Sequence, residues 1–229
     1  MKLDYPMSKH VAFIPARKGS KGFKLKNRIL FSHTANFLNQ IEWLAEVVVS
    51  TDDPVIKELA SDYGYSVHTR PDMLASDDVS IKDVFIDYLK STEQKSNVYM
   101  WLFYLTVLYR SIDDYLIAKN MLEGNNAKSV CTFVKAKTHP YDSWLYENNS
   151  TLKKYIDNDV YRRQDKPEAW EHYHYVCCFA SDELDSLNSE LIGPSTSPIF
   201  LNDEISANLV EVDTEQDLDD WCRKNNIRV

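Results

Sequence analysis

Between residues 10 and 69 the chain alternates three short apolar runs with two helical stretches, and that alternation constrains the fold more than any other feature. HVAFIPA (10–16), EVVVS (46–50) and YSVHT (65–69) read as strands. Between the first two, Ala35, Phe37, Leu38, Ile41 and Leu44 recur at three- and four-residue steps and predict a helix over 33–45. Asp53 followed by Pro54 starts a second helix, which runs to about Gly64. Strands separated by helices predict an α/β fold, a mostly parallel sheet with helices on both faces. The pattern goes on with a helix over 80–90, the apolar run VYMWLFYLTVL (98–108) as a strand, a helix over 111–123 and the strand KSVCTFV (128–134). YHYVCCFA (173–180) and NLVEV (208–212) read as the last strands, and 214–225 as the last helix.

Residues 138–172 interrupt this order, mixing Tyr, Trp, Asn and charged residues without a period. They are read as a partly stranded excursion from one domain spanning 1–229, and as a dimer arm. No apolar run approaches the ~18 residues of a membrane span. MKLDYPMSKH lacks the apolar core of a secretory leader, so the expected location is the cytoplasm. Cys131, Cys177, Cys178 and Cys222 have no zinc-ribbon or CxxC spacing and read as reduced, partly buried thiols.

Charge is distributed unevenly. The formal net charge is −9, yet eight of the 26 Lys/Arg and only one of the 35 Asp/Glu fall in residues 1–30. Arg17, Lys18, Lys21, Lys24 and Lys26, with Gly19 and Gly22, form a loop directly after the first strand. Ligands of open α/β sheets sit beyond the carboxyl ends of the strands. Glycines there let backbone N–H groups approach phosphate oxygens, and Lys/Arg neutralise the charge. The loop is neither GxGxxG nor GxxxxGK[ST]. A local basic patch on an acidic body suits a small anion and argues against nucleic acid, which needs a broad basic face.

Four ordered stretches carry a resemblance. IPARKGSKGFKLKN (14–27), VVVSTDDPVIKELASDYGYSVHTRPDMLASDDVS (47–80), RRQDKPEAW (162–170) and VEVDTEQDLDDW (210–221) are similar to the motifs of the acylneuraminate cytidylyltransferases. The resemblance spans nearly the whole chain. It implies a three-layer, Rossmann-like nucleotide-diphospho-sugar transferase fold, a homodimer, and transfer of CMP from CTP to a nonulosonic-type acidic sugar with Mg²⁺. Carried over residue by residue, Arg17 would contact the triphosphate and Lys26 and Asn27 would hold phosphate and nucleotide, with Arg17 and Lys26 as the catalytic cations. Ala16, Gly19, Ser20, Lys21 and Gly22 would shape the cradle. Arg70 and Ser80 would contact the nucleotide, although Ser76, Asp77 and Ser80 equally suit capping of the 80–90 helix. Glu211 and Asp213, two apart on a strand, would face the same way and ligate Mg²⁺. Asp213 also suits a helix cap. Family members usually carry Asp where this chain has Glu211.

The acceptor half departs from the family. In place of a Leu-Gln-Pro-Thr-Ser-Pro-Leu-Arg block the chain has FYLTVLYR (103–110), with Tyr104 where a sugar-contacting Gln is expected; Thr106 and Arg110 match. After RRQDKPEAW come Glu171, His172, Tyr173, His174, Tyr175 and Val176. Arg163 is left as a partner for a sugar carboxylate. Two readings stay open: a transferase with a changed acceptor, and a non-catalytic relative that binds nucleotide or sugar. His172, His174 and Cys178 share strand parity, which admits a zinc site, although packing is the commoner role.

Overall fold

The computed structural model describes residues 9–19, 23–92, 97–124, 127–147 and 150–227. Ser20, Lys21 and Gly22, expected to shape the loop, lie outside the described residues. Nine strands are named: β1 (Lys9–Pro15), β2 (Glu46–Thr51), β3 (Ser66–Thr69), β4 (Val98–Leu102), β5 (Ser129–Lys135), β6 (Trp144–Glu147), β7 (Thr151–Lys154), β8 (Trp170–Ala180) and β9 (Thr196–Phe200). The helices are α1 (Lys26–Leu38), α2 (Pro54–Asp62), α3 (Ile81–Ser91), α4 (Ile112–Gly124), α5 (Asp203–Ser206) and α6 (Glu215–Asn225). Seven strands form one sheet in the order β3-β2-β1-β4-β8-β5-β9, in which β8 alone runs antiparallel to its neighbours.

The expected three layers are present, and they follow from the alternation of side chains along the strands. Ala12 and Ile14 of β1 pack with Leu30, Phe31 and Ala35 of α1, Ile56 of α2 and Tyr115 of α4. Val11 and Phe13 point the other way, against Val84 and Phe85 of α3 and Leu184. The chain leaves β1 towards β2 and β3 on one side and returns to β4 on the other, so the topological switch point lies between β1 and β4.

Several boundaries differ from the sequence reading, each for a physical reason. The first helix spans 26–38 rather than 33–45. It starts at Leu25, whose φ of 63° breaks the preceding loop, and ends in tight turns in which Gln40 and Ile41 donate to the carbonyls of Phe37 and Leu38. Ile41 is buried from a turn, so its spacing mimicked a helix. The apolar run 98–108 is strand only to Leu102; Leu105, Val107 and Leu108 are buried because the following loop folds over the sheet end. NLVEV is not a strand: one bridge between Val107 and Glu211 is all its pairing. β9 went unread because Pro198 disguises it, and an edge strand tolerates proline.

The stretch 138–172 does contain strands. β6 and β7 form a separate antiparallel hairpin that exposes Trp144, Tyr146 and Leu152. β8 begins at Trp170 and is bulged: Cys131 faces Cys177 while Thr132 faces Tyr173. The Thr132 hydroxyl fills the bulge, donating to Tyr173 O and accepting from the Val176 amide at 3.1 Å. The bulge shifts the strand's parity, so Cys177 rather than Cys178 lies beside His174. The expected His172–His174–Cys178 grouping is therefore corrected. Cys131, Cys177 and Cys178 are buried free thiols, and burial pushes the Cys178 thiol up; Cys222 is partly exposed.

Candidate active site

The switch point opens into a cavity of about 250 Å³ whose lining includes Arg17, Lys26, Asn27, Arg70, Tyr104 and Glu211. Local hydrogen bonds fix its walls. Thr51 donates to the carbonyl of Ala16 at 2.5 Å and the Ala16 amide donates to Ser50 O at 2.9 Å, which ties the end of β1 to the end of β2. The Lys18 amide donates to Asp52 at 2.6 Å and the Asn27 side chain to the Arg17 carbonyl at 3.0 Å. Gly19 has φ +79°, a conformation that strains any residue with a Cβ. Ala16 is buried and does not line the cavity. Arg28 behind the loop makes two bonds to Asp53, at 2.8 and 2.9 Å.

Three cations converge on this cavity. Arg70 is buried at 5% exposure, donating to the Ser50 hydroxyl at 3.2 Å and carbonyl at 3.1 Å. Burial lowers its pKa to about 10; Asp52 opposes that shift and the charge of Arg17 adds to it. The guanidinium therefore stays charged, in a place that favours an incoming anion. Arg17 pairs with Asp77 and Lys26 with Asp213, at 2.9 Å in the second case. Asp77 and Asp52 were missed as partners of the loop, although both lie inside quoted motifs. Ser80 does not line the cavity. It caps α3, accepting from the Asp83 amide.

Glu211 and Asp213 do not share a strand; Glu211 lines the cavity, and Asp213 is paired with Lys26 of its lining. Partial desolvation raises the Glu211 carboxyl above its usual range, the charge of Asp213 adds to it, and Lys26 and a 3.4 Å bond from Thr106 oppose it. Asp213 is not the helix cap: Thr214 caps α6 with Asp217 in a reciprocal box. Two carboxylates two residues apart, beside the cations Lys26 and Arg17, are a donor set that fits Mg²⁺, which takes one or two carboxylates together with substrate phosphates.

A second cavity of about 300 Å³ adjoins the first and shares Tyr104 and Glu211 with it; His172, Tyr173, His174 and Glu190 complete most of its lining. Tyr104 thus lines both. Burial raises its hydroxyl pKa, so it remains a neutral donor. Arg163 is elsewhere: it is exposed and lines a separate cavity with Lys135, His139 and Lys166. Glu190 escaped the sequence reading because no motif surrounds it.

Comparison with known proteins gives this geometry a context. A sequence model described as cytidylyltransferase matches residues 11–174. An N-acylneuraminate cytidylyltransferase of Escherichia coli O18:K1:H7 is 37% identical over 79 residues, covering 32% of this chain and 19% of that protein. One from Streptococcus agalactiae serotype V is 26% identical over 166 residues, 69% of this chain and 40% of that protein. These matches thus span well under half of either relative. The post-translational flagellin modification protein B of Campylobacter coli is 25% identical over 231 residues, covering 92% of both chains. Among solved structures, CMP:2-keto-3-deoxy-manno-octonic acid synthetase complexed with CTP superposes with a TM-score of 0.65 at 17% identity, covering 96% of this chain and 99% of the other. The 4-diphosphocytidyl-2C-methyl-D-erythritol synthase of Anaerococcus prevotii does so with a TM-score of 0.63 at 11% identity, over 96% and 99%. At these identities the superpositions establish the shared fold.

Proposed function

Since this chain belongs to the cytidylyltransferase family, we propose that it transfers CMP from CTP to an acidic sugar of the nonulosonic type and releases pyrophosphate. The observation that carries this reading is the buried Arg70 facing Arg17 and Lys26 across a cavity at the carboxyl ends of β1 and β4. In the reaction a sugar hydroxyl oxygen bonds to the α-phosphorus in line and gives up its proton to solvent, the bond to the bridging oxygen breaks, and pyrophosphate carries that electron pair away. Arg17 and Lys26 offset the charge that develops on the leaving group, and Arg70 holds the nucleotide. Each of the first two is paired with a carboxylate that it can exchange for phosphate. Asp213, released from Lys26, would hold Mg²⁺ with Glu211, and the metal would supply positive charge to offset that of the phosphates. Asn27 pins the loop backbone through Arg17 O. Tyr104 separates the nucleotide cavity from the acceptor cavity. The exposed β6–β7 hairpin supports a homodimer joined through that arm.

The test is pyrophosphate release from CTP with Mg²⁺ and a panel of nonulosonic acids, together with CTP titration by calorimetry. Arg70→Gln should weaken CTP about 10- to 100-fold, the equivalent of losing one charge-assisted hydrogen-bonding group. Arg17→Gln, which changes a less buried position, should lower turnover in the same sense. If the unaltered protein has no affinity for CTP, the proposal fails. CTP binding without turnover of any acceptor would favour the non-catalytic reading.

A further inference from the structure

The two adjoining cavities differ sharply in charge. The nucleotide end carries Arg17, Lys26 and Arg70. At the acceptor end, among the described residues, no Lys or Arg lines the wall, and the acidic side chains there are Glu190 and Glu211. Glu211 faces both cavities and is the residue assigned to the metal, which leaves Glu190 as the fixed anion of the acceptor end. Its Oε2 lies 3.4 Å from His172 Nε2 and 3.9 Å from His174 Nε2. His174 Nε2 donates to the Glu190 carbonyl at 2.9 Å, which fixes the loop that presents the carboxylate. Burial lowers the pKa of His174, so this imidazole stays neutral and leaves the carboxylate's charge in place. A sugar carboxylate directed here would meet like charge; directed towards Arg70 it would meet a cation.

A second observation points to a ligand in the same place. Tyr173 lines this cavity, and its buried hydroxyl has no hydrogen-bond partner among the described residues. A buried hydroxyl left unpaired is costly, and such groups in a cavity wall are paired when the cavity is occupied.

We infer that the acceptor is a zwitterionic sugar acid whose carboxylate lies towards Arg70 and whose positively charged nitrogen substituent, an amine or amidine, is seated on Glu190 between His172 and His174. The inference rests on the cytidylyl transfer proposed above and names the acceptor class for it. Tyr104 forms the partition against which the sugar ring lies, and the Tyr173 hydroxyl pairs with a polar substituent of the ring. The residues that replace the family's usual acceptor motif, Tyr104 and the His172–His174 pair, then have a shared purpose: they exclude a second anion and frame a carboxylate for a cation.

The experiment uses a matched pair of nonulosonic acids, one with a free amine on a carbon remote from the anomeric centre, the other with an N-acetyl group there. Pyrophosphate release is followed with CTP and Mg²⁺. The amine should be preferred at least 10-fold in kcat/KM, mainly through KM, and Glu190→Gln should erase that preference while leaving the melting temperature close to that of the parent. Preference for the N-acetyl acid, or an amine preference that survives Glu190→Gln, would overturn the inference. So would normal CTP binding with turnover of neither acid. Absence of CTP binding would instead strike the transferase reading on which the inference rests.

Discussion

Asp53 ties local structure to the site. Its carboxylate caps α2 through the Val55 amide at 3.0 Å and also receives Arg28. Burial alone would raise its pKa, but the Arg28 guanidinium and the Val55 amide outweigh burial and hold it below the usual carboxylate range. Asp53 also donates its own amide to Thr51, the residue that clasps β1 to β2. Asp53→Ala should therefore lower stability by about 1–2 kcal/mol, the usual cost of a lost cap. A smaller second effect should appear as weaker CTP binding, because Arg28 stands directly behind the nucleotide loop. Urea unfolding checks the first, and an unchanged midpoint would refute it. The pairing was legible from Asp53-Pro54 as a helix start; the role of Arg28 was not, since nothing local connects two residues 25 positions apart.

At the scale of elements, strands and helices were readable wherever a side-chain period ran uninterrupted between turn residues. α2, α3 and α6 match for that reason, each opening on a capping residue: Asp53, Ser80 and Thr214. The misread elements are those in which tertiary packing breaks the period. Ile41 is buried from a turn, Leu105 and Leu108 from a loop, and the β8 bulge moves Cys177 to the face that parity gave to Cys178. The β6–β7 hairpin is the element with a function still to be measured. An isolated two-stranded hairpin is marginal in water, and this one exposes Trp144 at 56%, Tyr146 at 65% and Leu152 at 64%. Replacing Tyr146 and Leu152 with Asp should convert a dimer to a monomer in sedimentation velocity at micromolar concentration. A parent protein that is already monomeric there would count against the arm.

Across the whole molecule, buried imidazoles set the response to acid. Trp101 donates its indole N–H to His10 Nδ1 at 3.0 Å, so the His10 proton sits on Nε2 towards Glu123, and a second proton would displace the indole. Burial holds the pKa values of His10, His68 and His174 below the usual 6.5, against the pull of Glu123 on His10 and Asp87 on His68. The unfolded chain therefore takes up protons first, and stability falls as pH drops through about 6.5. Glu46, Asp53 and Glu123, held below the usual carboxylate range, add to the loss at lower pH; Glu211, raised, works in the opposite direction. Melting temperature should be level from pH 7 to 8 and fall between pH 6.5 and 5. A level or rising profile there would refute this account. The site itself was legible at its cationic end, where charge and glycine cluster within a few residues. In the adjoining cavity Tyr104 was legible from its place in FYLTVLYR, whereas Glu190 was not, because it reaches that cavity only once the sheet has formed.

One contact has a temporal meaning. Lys26 and Asp213 are 187 positions apart in sequence, yet they form an ion pair beside the cavity that Lys26 lines. A polypeptide emerging from the ribosome would thus display the basic loop long before the carboxylate that pairs with it. During synthesis Lys26 must therefore wait, without its ion-pair partner, until residue 213 has cleared the exit tunnel and folded back.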